Sequence, residues 1–99
     1  TYLISVATTS VTITLDTTDA ASNTMVVTNT GADPVFVFTS STAGTAVYPS
    51  SSATASQDGN VLTTGVHYLK KNTDHGFVNM IRKAAAATAD VAISVGADA

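Results

Sequence analysis

VVTNTGADPVFVF, residues Val26 to Phe38, is the stretch on which the fold turns. Two runs rich in β-branched and aromatic residues flank a short polar break, and such runs favour extended backbone. Within the break, Gly31 is able to take the positive φ of a tight turn, and Pro34 pre-sets φ at the start of the second run. The local reading is a hairpin between Val26–Asn29 and Val35–Thr39, with Asn29, Gly31 and Pro34 as its structural turn. In the second run Val35 and Val37 point to one face and Phe36 and Phe38 to the other. If the valines face the core, the phenylalanines need a second cover.

Working outward, the same kind of run recurs along the chain: YLISV (2–6), VTITL (11–15), TMVVTN (24–29), VFVFT (35–39), TAVYP (45–49), NVLTT (60–64), VHYLK (66–70), FVNMIRK (77–83) and VAISV (91–95). Turn formers separate them, and no segment carries a helical apolar stripe of useful length. The pattern predicts an all-β chain, a single antiparallel β-sandwich or jelly-roll-like domain of about eight short strands. The chain of 99 residues makes one domain, 1–99, with 1–20 as an N-terminal strand or arm region and 49–60 (PSSSATASQDGN) as a surface loop. A domain of this size buries roughly 60–65% of its unfolded surface, enough for one core. AAAATAD (84–90) favours helix by composition but is too short to hold one, so it reads as a connection with at most one helical turn. In FVNMIRK the inward set is either Val78 and Met80, with the stem of Arg82, or Phe77 and Ile81.

Only 11% of residues are charged, against roughly 25% in an average globular chain. The surface is therefore built from Ser, Thr, Ala and Asn, which suits a protein surrounded by other protein. All four cations, Lys70, Lys71, Arg82 and Lys83, fall between positions 70 and 83. Reading KNTDHG (71–76) as the loop of a second hairpin brings the four together into one basic patch. No cysteine is present, so burial and backbone pairing carry stability. The start, TYLISVATTS, lacks a basic leader segment, and the longest uncharged run, 34–57, is too rich in Ser and Thr to span a bilayer. A protein made in the cytosol, without membrane association, is expected.

Reactive chemistry is sparse. The two histidines, His67 and His75, come with no nucleophile elbow, and the pair offers too few ligands for a metal site. Glu is absent and the Asp residues lie mostly in turns, which argues against a two-carboxylate glycosidase. Six scattered glycines form no phosphate cradle, so no cofactor is expected. The basic patch with Tyr68 and Phe77 is a weak nucleic-acid footprint at four cations against seven anions. Thr12 and Thr14 share a strand face, but the pair does not repeat as a regular threonine array would. No enzyme is expected.

TMVVTNTGADPVFVFTSS, TAVYP, GVHYLKKNT and GFVNMIRKAAAATADVAISVG together resemble small virion proteins of tailed bacteriophages. In that family a V-x-N-T-G-x-x-P-x-[FY]-V core leads into a Ser/Thr-Ala loop, a strand near a proline, a hairpin and a last strand after an Ala/Ser-rich turn. Val27, Asn29, Thr30, Gly31, Pro34, Phe36 and Val37 match the core. The likeness covers residues 24–96, and the first twenty residues and the 50–60 loop depart from it. It implies a capsid decoration or cement protein on the virion exterior, often a homotrimer, with the major capsid protein as partner. Alternatives are another head or tail accessory part, or a free-standing module recognising protein or glycan through Tyr48 and Tyr68. The expected contacts are the basic patch of Lys70, Lys71, Arg82 and Lys83, and the N-terminal Tyr2 and Leu3, which are suited to adding a strand to a neighbour's sheet.

Overall fold

The computed structural model describes residues 1–49, 59–83 and 89–95. Eight strands and one helical turn follow one another: β1 (Tyr2–Val6), β2 (Val11–Thr14), α1 (Thr17–Ala20), β3 (Thr24–Asn29), β4 (Val35–Ser40), β5 (Asn60–Leu62), β6 (Gly65–Lys70), β7 (Phe77–Arg82) and β8 (Ala89–Val95). They form two four-stranded antiparallel sheets, β1-β8-β3-β6 and β2-β7-β4-β5. First pairs with last, second with seventh, third with sixth and fourth with fifth. The chain is thus one long two-stranded ribbon rolled over on itself, which is a jelly roll.

That topology corrects both hairpin readings. β3 and β4 lie in different sheets, so TNTGADP crosses the sandwich instead of reversing within a sheet. β6 and β7 are also in different sheets. Among the described residues, the sequence-neighbouring strands that pair with each other are β4 and β5. Gly31 does not take a positive φ; among the described residues the glycine that does is Gly65, at +130°, where the chain enters β6.

The inner faces alternate as the sequence requires. Ile4, Val6, Met25, Val27, Val91, Ile93 and Val95 from one sheet meet Val35, Val37, Leu62, Val78 and Met80 from the other. Each such side chain contributes about 1.5–3 kcal/mol by leaving water. The register of FVNMIRK is therefore the one with Val78 and Met80 inside.

The second cover for the phenylalanines also exists. TAVYP is not a strand; its segment lies over the outer face of the β2-β7-β4-β5 sheet, where the Ala46 N–H donates to Ser10 Oγ (2.7 Å) and the Gly44 N–H to Asn79 Oδ1 (3.0 Å). Asn79, between Val78 and Met80 on β7, is consequently fully buried on that outer face. Phe36 is buried as well, and a Cβ at Gly59 would stand 2.5 Å from the Val37 carbonyl oxygen and 2.7 Å from the Phe36 ring. Gly59 is exposed but leaves no room for a side chain; of the surface loop expected over 49–60, Pro49 and Asn60 are exposed too, and residues 50–58, with 84–88 of AAAATAD, lie outside the described residues.

Candidate functional site

The crossing TNTGADP uses up its own polar groups. Asn29 ends β3 and is buried; its Nδ2 donates to the carbonyls of Asp33 (2.8 Å) and Leu62 (3.1 Å), and its Oδ1 accepts from the Gly31 N–H (3.0 Å). The Thr30 N–H and Oγ1 both donate to the Asp90 carbonyl (2.9 and 3.0 Å). The Pro34 carbonyl accepts from the Lys83 N–H at 3.0 Å. Asn29, Gly31 and Pro34 therefore join the two sheets at one end of the sandwich, a larger task than shaping a hairpin.

The four cations do not form one patch. Lys70 and Lys71 stand at the end of β6, and the connection 71–76 leads into the start of β7 at Phe77. Arg82 and Lys83 lie at the far end of β7, about 16 Å further along at roughly 3.3 Å per residue. Lys71 is buried: its Nζ donates to the carbonyls of Ala20 (2.6 Å), Asn72 (2.8 Å) and His75 (2.7 Å). Burial lowers its pKa from the ordinary 10.5, and Asp74 partly opposes that shift. Arg82 is half-buried, with Nη1 on Asp33 Oδ2 at 2.8 Å and Nε on the Val6 carbonyl at 3.1 Å. Lys70 and Lys83 are exposed.

The N-terminal residues divide in the same way. β1 is an edge strand of its sheet, paired on one side to β8, so the start of the chain is part of the sandwich. Tyr2 is half-buried; its hydroxyl donates to Asp19 Oδ2 (2.7 Å) and accepts from the Asp16 N–H (2.9 Å), tying α1 to β1. Burial raises its pKa above the ordinary 10.0. Leu3 is 82% exposed.

Little here is arranged for reaction. Thr39 Oγ1 lies 2.8 Å from His75 Nδ1, but Asp74 Oδ1 is 3.8 Å from Nε2, too far to orient the ring by a hydrogen bond. His67 Nε2 lies 2.8 Å from the Thr63 carbonyl. Asn72 shapes the 71–76 turn, with its Oδ1 accepting from the Asp74 N–H. Among the described residues no group of three or more His, Asp or Glu side chains is placed to hold a metal, and no helix is long and apolar enough to cross a membrane.

What the sequence reading missed is an exposed face. On the outer side of β1-β8-β3-β6, Leu3, Ala92, Thr28 and Val66 form one cross-strand row, and Ser94, Val26 and Tyr68 the next. Tyr68 is 79% and Val66 55% exposed. Strict alternation in VHYLK, with Val66, Tyr68 and Lys70 on one side, was the available signal. No protein-family model, curated protein or solved structure matches this chain.

Proposed function

We propose that the protein is a structural virion component of a tailed bacteriophage that binds the assembled capsid, with the major capsid protein as partner, and stabilises it from outside as a decoration or cement protein. The observation that carries this reading is where the polar groups go: among the described residues no buried side-chain N or O lacks a partner, so the interior is committed to structure and the surplus is uncharged sheet surface. The resemblance carried by Asn29, Gly31 and Pro34 points the same way. Jelly rolls recur in viral capsid and lectin domains, which adds support at the level of fold analogy only.

The mechanism is mass action. A protein that binds the closed lattice and not its separated subunits stabilises the lattice by RT ln(1 + [L]/Kd) at each site, about 2.7 kcal/mol at a hundred times Kd. No bond is made or broken. Of the anticipated contacts, Leu3, Lys70 and Lys83 reach the surface, whereas Lys71 and Arg82 serve the interior.

The test is cosedimentation with empty capsids. Saturable binding that raises the capsid's disruption temperature is the expected result. Lys83→Glu leaves the fold untouched and probes the exposed cation. Absence of binding to capsids, with binding to isolated tails, moves the assignment to a tail accessory protein. Absence of both overturns the virion reading.

A further inference from the structure

We propose that the outer face of the β1-β8-β3-β6 sheet is a self-association surface, on which a second copy of this chain docks about a two-fold axis lying in the plane of the sheet. The inference goes beyond the capsid reading and does not rest on it. Its first ground is the contrast between the two outer faces. The outer face of the β2-β7-β4-β5 sheet is covered by the chain itself, with Gly44 of the 41–49 segment against Phe38 and Asn79 and Gly59 against Phe36. The opposite sheet presents Leu3 and Tyr68 about four-fifths exposed, on the two edge strands of a sparsely charged surface.

Charge selects the occupant. Among the described residues, the outward positions of this sheet include two charged side chains, Asp90 on β8 and Lys70 on β6, and both are exposed. The register sets them two strands and six residue positions apart, towards opposite ends of the face and roughly 20 Å from each other. An in-plane two-fold lays Asp90 of each copy over Lys70 of the other, so the face is complementary to itself.

Shape agrees with charge. A depression of about 300 Å³ opens at the Asp90 end, lined in part by Leu3, Ser5, Thr30, Asp90 and Ala92. Tyr68 projects near the Lys70 corner, two positions along β6. The axis that pairs the charges also carries Tyr68 of the second copy to the Thr30 rim of this depression, a contact made twice.

Area is sufficient. Four strands at about 4.8 Å spacing, each some 20 Å long, give a planar footprint of roughly 400 Å² per copy. With side-chain relief the total buried approaches about 1,200 Å², the lower limit for a specific interface. The pairing predicts an even number of copies, where the resemblance implies a trimer. It assigns Leu3 and Lys70 to self-association and leaves Lys83, at the other end of the sandwich, for a lattice.

Sedimentation equilibrium of the purified chain, without capsids, tests this across micromolar to millimolar concentrations. The expected result is a reversible dimer, weakened roughly tenfold or more by Tyr68→Glu, a change on an exposed residue. Lys70→Asp and Asp90→Lys each weaken association, and the double exchange restores it. A chain that remains monomeric, a trimer, a dimer indifferent to Tyr68→Glu, or a double exchange no better than the single variants would overturn the proposal. Since no capsid enters the measurement, failure here leaves the capsid test standing, and failure of capsid binding leaves the dimer standing.

Discussion

The two ends of the sandwich each take in a cation and hold it in different ways. At the β6–β7 end Lys71 is surrounded by backbone: three carbonyls, from the last residue of α1 and from two positions of the 71–76 connection. At the β3–β4 end Arg82 meets a side chain, Asp33, and one carbonyl. An ammonium has three protons to aim at three converging acceptors, whereas a guanidinium presents a flat fork suited to a carboxylate. The difference is one of dependence. The Lys71 site needs the chain path to be right, and the Arg82 site needs one particular residue.

The largest effect should come from breaking the side-chain pair. Arg82→Met strands the Asp33 carboxylate, whose side chain is only 6% exposed, and is expected to cost about 3–5 kcal/mol in urea unfolding. Adding Asp33→Asn removes the stranded charge, so the double variant is expected to recover part of the loss. A double variant whose loss equals the sum of the Arg82→Met and Asp33→Asn single losses would mean that the two groups are not coupled.

The backbone-held cation should come next. Lys71→Met takes one donor from each of three carbonyls, of which that of Asn72 keeps the His75 N–H at 3.0 Å, for a loss of about 2–3 kcal/mol. Exchanging the cation types sharpens the contrast. Lys71→Arg should be nearly as harmful as Lys71→Met, because a planar fork does not fit three converging carbonyls, whereas Arg82→Lys should cost less than Arg82→Met. Equal responses at both ends would erase the distinction.

The fold class was legible in residues such as Val35 and Val37, because strict alternation survives whatever the neighbours do. The pairing was not. A period-two strand reads alike in either sheet, and in a jelly roll three of the four ribbon pairs join segments far apart in sequence, so VVTNTGADPVFVF passed for a hairpin while Asn29 in fact bridges the sheets. FVNMIRK resisted a register choice because both of its faces are covered, the outer one by a segment whose TAVYP looks like a strand. Lys71 was illegible for a further reason: its partners are carbonyls, which every residue carries, and no side-chain pattern marks where they converge. Tyr2, expected as a docking residue, is engaged by Asp19 and the Asp16 N–H across a separation that sequence alone does not close.

Tyr2 supplies the smallest and most selective probe of the Lys71 end, since α1 holds both: Asp19 accepts from Tyr2, and the next residue's carbonyl accepts from Lys71. At neutral pH, Tyr2→Phe should cost about 1 kcal/mol through its lost hydrogen bonds. Burial raises the phenol's pKa above 10.0, so the folded chain keeps a proton that the unfolded chain begins to lose near that pH. The phenol's contribution is therefore complete below pH 10 and declines as pH climbs through the raised value. Lys71 has the opposite sign: its pKa is lowered from 10.5, the folded chain gives up the proton first, and stability is regained as pH rises towards 10.5. Taking wild type minus Tyr2→Phe at each pH cancels the Lys71 part, and Tyr48, also raised by burial, cancels with it. The difference in unfolding free energy should hold constant well below pH 10.0 and shrink as pH rises above it; a difference that stays constant would mean that the Tyr2 phenol ionises alike in the folded and unfolded chains.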